Sequence, residues 1–169
     1  MRTRIDAIRA ILIDHPMALL IPLAIFAVTF AVAWLVLAAV SLTLAFTVAE
    51  GEARKHATFH LFVGFIAMAL FVSIGLLWTP SREGLPTMGR TALLIVTAMG
   101  AFGQVLESIG VSGYDRFNEG HEIEALSTVH NSVGILGPVA LLAIPIGLIA
   151  VAVLVLGRLL RLATSSRAA

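Results

Sequence analysis

The chain has 169 residues, of which 59% are hydrophobic and only 12% are charged, and its mean hydropathy is +1.01. Because about a quarter of the residues in a soluble domain are charged, this composition excludes an ordinary soluble globular protein. The net charge of +1 provides no basic surface for nucleic acid, and the lack of cysteine excludes disulfides and thiolate metal sites.

The N-terminal segment, residues 2–14, has helical periodicity, with isoleucine and leucine on one face and arginine at other positions. This pattern predicts either a short helix that lies at the membrane surface or the first turns of the first membrane span. His15 and Pro16 interrupt the pattern, because the residue before a proline disfavours the helical conformation.

Four apolar runs follow along the chain. Each of them is long enough, as a helix, to cross a hydrocarbon core of about 30 Å. We place these spans at about 17–47, 57–78, 91–110 and 128–157. The sequence therefore predicts an all-α integral membrane protein, an antiparallel four-helix bundle that forms a single transmembrane domain over residues 1–169.

Basic residues are distributed unevenly between the two sides of this predicted bundle. Eight arginines lie on the side of the two termini, whereas only Arg54, Lys55 and Arg116 lie on the other side. The side that is rich in arginine and lysine is normally cytoplasmic. We therefore expect a multi-pass protein of the cell membrane with both termini in the cytoplasm and with the loops 48–56 and 111–127 outside.

A short internal similarity links two of the spans. Residues 58–64 and 128–134 both have the pattern T-φ-H-x-x-V-G, where φ is apolar, at the outer start of an even-numbered span. Duplication of a two-helix hairpin, giving two parallel repeats, would explain this similarity. Chance in an apolar sequence of low complexity is the other explanation.

Polar residues collect at the outer ends of the predicted spans, where four of the five histidines lie. Glu107 is the only acid within a predicted span, and a carboxylate in hydrocarbon is costly unless it faces the bundle interior and has a partner. The third helix of an up-down bundle contacts the second and the fourth. We therefore expect His60, Glu107 and His130 to meet about one turn below the outer surface.

The first function that this set of residues predicts is binding of haem b. His60 and His130 would supply two axial imidazoles from different helices, and Gly64 and Gly134, one turn deeper, would leave space for the flat macrocycle.

A second prediction is a divalent metal site, and a third is a proton or ion path. Imidazole and carboxylate ligands suit zinc, copper or iron, and the candidate ligands are His56, His60, Glu107 and His130. His56 and His60 lie on one helix face, because they are one turn apart. As relay groups, Glu107 and the histidines would instead carry protons or ions.

A structural role explains the same residues without any ligand, since a Glu–His contact would simply join helices. The chain contains no nucleotide-binding motif and no H-E-x-x-H sequence, and its short loops leave little room for catalytic machinery, so we expect no enzymatic activity of its own. Two functions remain: a redox or metal-handling membrane protein, and an accessory subunit. As an accessory subunit, it would pack in the bilayer against other membrane subunits or further copies of itself.

Overall fold

The computed structural model describes residues 17–77, 87–134 and 136–165. These residues form five helices: α1 (Met17–Thr47), α2 (Gly51–Leu77), α3 (Thr87–Val111), α4 (Glu124–Val133) and α5 (Leu136–Ser165). No strand occurs in these three ranges, which confirms the all-helical class. The predicted surface helix over 2–14 lies outside the described residues.

Four of the helices contain segments that are long and apolar enough to cross a membrane. The segments are Ala24–Thr47, Gly51–Leu77, Gly89–Val111 and Leu141–Leu160. Their length and composition support a multi-pass membrane protein. The α3 segment is half-buried by the rest of the chain, whereas the α5 segment is only 17% buried.

The link between α1 and α2 is shorter than the sequence pattern suggested, because α2 begins at Gly51 and not near residue 57. Gly51 has a φ of +46°, a conformation that glycine adopts at little steric cost. It turns the chain directly into the helix, and Glu52 in the first turn interacts favourably with the positive end of the helix dipole.

The predicted fourth span, 128–157, overlaps two helices, α4 and α5, and Gly134 caps the C-terminal end of α4. A continuous helix would need the N–H of residue 138 to bond the carbonyl of Gly134, and Pro138 has no N–H. In the structure Pro138 falls in the first turn of α5, where that hydrogen is not required. His130 consequently lies on α4, before the apolar segment of α5.

The chain divides into two compact units, residues 1–37 and 38–169. The described part of the first unit is the start of α1, where large side chains such as Ile25 and Phe26 are exposed.

In the second unit, a buried serine of α3 joins two other helices. The Ser108 hydroxyl donates to the carbonyl of Ala57 over 2.6 Å, and it lies 2.6 Å from the hydroxyl of Ser41. Next to these serines, Ala45, Ala57 and Val111 form a small apolar core. Small side chains therefore bring the end of α1, the start of α2 and the end of α3 close together.

Candidate functional site

Helix α3 supplies two buried polar side chains to the site, Gln104 and Glu107. They lie three positions apart and therefore on the same helix face. Gln104 is 1% exposed and Glu107 is 6% exposed. Each of them contacts one histidine, and the two histidines belong to different helices.

The first contact joins α3 to α2. Nδ1 of His60 lies 2.8 Å from Oε1 of Gln104. Because an amide oxygen only accepts hydrogen bonds, Nδ1 donates and Nε2 keeps its lone pair. In this tautomer Nε2 is the ring nitrogen that can accept a hydrogen bond or bind a metal.

The second contact joins α3 to α4. Nδ1 of His130 lies 2.8 Å from Oε1 of Glu107, and both side chains are largely buried. The two atoms have the separation of an ion pair, although their orientation is not that of a directed hydrogen bond. The other carboxylate oxygen, Oε2 of Glu107, is buried and has no hydrogen-bond partner among the described residues.

A glycine on α3 makes room for His130. A Cβ atom at Gly110 would lie 2.5 Å from the backbone nitrogen of His130 and 2.7 Å from its Cα. The backbone of α4 therefore packs directly on α3 at this position, and this close approach brings the imidazole to Glu107.

Five rings form an aromatic cluster that connects the two histidines: His56, His60, Tyr114, Phe117 and His130. The centroids of His56 and His60 are 4.9 Å apart, and those of His56 and Phe117 are 4.6 Å apart. On the other side, Tyr114 lies 4.2 Å from His130 and Phe117 lies 6.4 Å from it. The histidines of α2 and α4 thus belong to one continuous group of rings.

The connection between α3 and α4 covers this cluster and is fixed to the start of α2. Oδ1 of Asn118 accepts a hydrogen bond from the backbone N–H of Glu50, and the carbonyl of Phe117 accepts one from Ala53. The Asn118 amide also donates to the carbonyl of His121 within the connection. Phe117 is held against His56 by these bonds.

The structure brings together part of the predicted site. Glu107 and His130 meet as predicted, but His60 contacts Gln104 and not Glu107. Within the described ranges, no three His, Asp or Glu side chains are placed to hold one metal ion.

Neither glycine that we expected to border a haem provides an enclosed space. A Cβ atom at Gly64 would lie 3.0 Å from Val105 of α3, so α3 fills the space beside it. Gly134 is exposed, and it lies next to the carbonyl of His130.

Sequence reasoning missed the roles of Gln104, Tyr114 and Phe117. An uncharged amide inside a span carries no strong signal, and loop aromatics do not reveal which rings they touch. The available signal was the position of Gln104 on the same helix face as Glu107.

Chemically, the arrangement offers two imidazoles with oriented rings and one buried carboxylate oxygen that lacks a partner. Both histidines of the repeated T-φ-H-x-x-V-G pattern contact polar side chains of α3. Comparison of the chain with models of known protein families, with curated proteins and with solved structures finds no match.

Proposed function

We propose that this is a membrane protein that binds haem b or a divalent metal ion through His60 and His130, in a redox or metal-handling role. One observation carries the proposal: Nδ1 of each imidazole lies 2.8 Å from a side-chain oxygen of α3. A histidine that binds a metal usually donates its other ring N–H to such an acceptor, as His60 does to Gln104, whereas Nδ1 of His130 only lies close to Glu107. The two Nε2 atoms are then the ligands.

The two ligand classes make different demands on the residues around the histidines. Haem b would take the two imidazoles as axial ligands and would also need a gap between helices for the macrocycle, and the space beside Gly64 is filled by α3. Zinc, copper or iron would need further ligands, which water would have to provide, because no third His, Asp or Glu side chain of the described residues is placed to share one ion with the two histidines. Both classes use the same pair of nitrogens, so one set of variants tests them together.

We also propose how the four apolar segments are arranged in the membrane. The four apolar segments form an antiparallel bundle with both termini in the cytoplasm, as the distribution of arginine favours. The aromatic cluster then lies at the outer end of the bundle, below the loops 48–56 and 111–127.

An accessory subunit is the alternative, and the surface of α5 favours it. Leu142, Ile149 and Leu156 are exposed by 65%, 66% and 57%, and they lie seven positions apart on one face of the helix. That face is available to lipid or to another membrane subunit. In this case the Glu107–His130 contact has only the structural role of joining α3 to α4.

Absorption spectroscopy and metal analysis of the purified protein test the proposal. The protein in detergent is incubated with haemin, or with zinc, copper or iron, and the unbound ligand is removed by gel filtration. We expect either a Soret band of bound haem or one bound metal ion per chain. His60→Ala and His130→Ala should each abolish the signal, because each removes one ligand.

His121→Ala is the matched control, because His121 is an exposed histidine of the same end of the molecule. It should bind like the wild type, and circular dichroism should show the same helix content in every variant. A wild-type protein that retains neither haem nor metal would contradict the proposal. Unchanged binding by both site variants would contradict it as well, and either result would favour the accessory subunit.

A further inference from the structure

Two arginines from different helices meet at the C-terminal end of α2. Nη2 of Arg90, from the start of α3, donates to the carbonyl of Gly75 over 3.2 Å. Nη2 of Arg158, from α5, donates to the carbonyl of Leu77 over 3.1 Å. Arginines from α3 and α5 therefore both bind the C-terminal end of α2, which is the end opposite the aromatic cluster.

These guanidinium groups keep unused hydrogen-bonding capacity and unneutralised charge. A guanidinium has five N–H donors, and the bonds to α2 use only some of them. Nε of Arg90 is buried and has no acceptor among the described residues. The dipole at the end of a helix supplies only about half a negative charge, which does not balance two cations.

No acidic side chain of the described residues lies at this end. The described acids precede or open α2, lie near the end of α3, or occupy the connection that follows it: Glu50, Glu52, Glu107, Asp115, Glu119, Glu122 and Glu124. The single acid of the loop between α2 and α3 is Glu83, which lies outside the described residues. The described structure thus leaves both arginines without an ion pair.

The arginines lie where a lipid headgroup would be. Arg90 and Arg158 are each close to the end of an apolar segment, Gly89–Val111 and Leu141–Leu160. Beside them, Leu76 is 73% exposed and Leu159 is 57% exposed. A ligand at this place would meet guanidinium groups at one end and apolar side chains along its length.

We propose that Arg90 and Arg158 bind the phosphate group of an anionic phospholipid, whose acyl chains lie along the exposed leucines. Guanidinium groups bind phosphate oxygens in a bidentate manner, and basic sites between transmembrane helices suit anionic headgroups. The neighbouring apolar surface favours a lipid over free phosphate. This site is remote from His60 and His130 and does not depend on the function proposed for them.

Native mass spectrometry of the detergent-purified protein tests this inference, with phosphatidylglycerol and phosphatidylcholine of identical acyl chains in competition. We expect the wild-type protein to retain phosphatidylglycerol with about tenfold preference, since each arginine near the headgroup contributes to binding. The double variant Arg90→Gln/Arg158→Gln should lose this preference. Arg116→Gln, which removes an exposed arginine at the other end of the molecule, should retain it.

Three results would overturn the inference. The first is that the wild-type protein retains both lipids equally, which would happen if Glu83 already neutralised the arginines. The second is that the double variant keeps the preference, which would place the lipid at other basic residues. The third is that inorganic phosphate at millimolar concentration displaces phosphatidylglycerol completely, which would identify a site for the free anion. The first and third results need only the wild-type protein, so they can be obtained even if the double variant does not fold.

Discussion

At the scale of single residues, the candidate site depends on a glycine that lets two helices pack closely. Gly110 has no Cβ, and any Cβ there would overlap the backbone of His130. We expect Gly110→Ala to push α4 away from α3, to weaken the Glu107–His130 contact and to destabilise the protein by about 1–3 kcal/mol, as overpacking does. The midpoint of thermal unfolding in detergent measures this change.

Gly89→Ala is the control, because it lies on the same helix and its Cβ would meet no atom within 4 Å. Alanine has the higher helix propensity, so Gly89→Ala should leave the protein equally or slightly more stable. Equal unfolding midpoints for the two variants would show that α4 does not pack on Gly110 as the structure has it.

Residue-level reasoning from the sequence succeeds where the energetic penalty is large. A carboxylate within an apolar span requires a partner, and this requirement, together with the order of helices in an up-down bundle, predicts that Glu107 contacts a histidine. Gln104 carries no charge, so its burial is less costly and nothing in the sequence demands a partner for it. The choice of His60 between Gln104 and Glu107 depends on the rotation of α2 against α3, which the spacing of residues does not determine.

At the scale of elements, the connection between α3 and α4 is fixed by one buried side chain. Asn118 is 2% exposed and bonds both the Glu50 N–H and the His121 carbonyl. We expect Asn118→Ala to leave both groups unpaired and to lower stability by about 1–3 kcal/mol. Hydrogen exchange should also accelerate at Glu50 and Ala53, because Phe117, which accepts from Ala53, is held by the same connection.

Asp115→Ala is the matched control in the same connection, since Asp115 is exposed. Its stability and the exchange rates at Glu50 and Ala53 should equal those of the wild type. If Asn118→Ala left these rates unchanged, the connection would not be held on α2 by this side chain.

Element boundaries follow from the sequence only where a single physical signal dominates. The apolar run of α1 continues without a charged residue to Thr47, where the helix ends. The apolar run of the fourth span continues across Gly134, so hydrophobicity alone predicts one helix. Pro138 cannot make the backbone hydrogen bond to Gly134 that a continuous helix would contain, although α5 itself continues through Pro145. An average over apolar residues detects neither of these local effects.

At the scale of the whole molecule, the positions of the arginines indicate which helix ends share one side of the membrane. Arg90 and Arg158 are far apart in the sequence, and both contact the same end of α2. In the proposed topology, the loop between the second and third spans lies on the same side of the membrane as the segment that follows the fourth span. The charge balance predicts which side is cytoplasmic, because eight basic residues lie on the side of the termini and three lie on the other side.

Single cysteines can test that orientation directly, because the chain contains no cysteine. We expect a membrane-impermeant maleimide to label Asp115→Cys in intact cells, since Asp115 is exposed in the connection between α3 and α4. Ala169→Cys, at the C-terminus, should react only after the membrane is permeabilised. The reverse pattern would place His60 and His130 at the cytoplasmic end and the two arginines at the outer end. Labelling of both cysteines in intact cells would contradict the single membrane crossing between them, and with it the four-span topology.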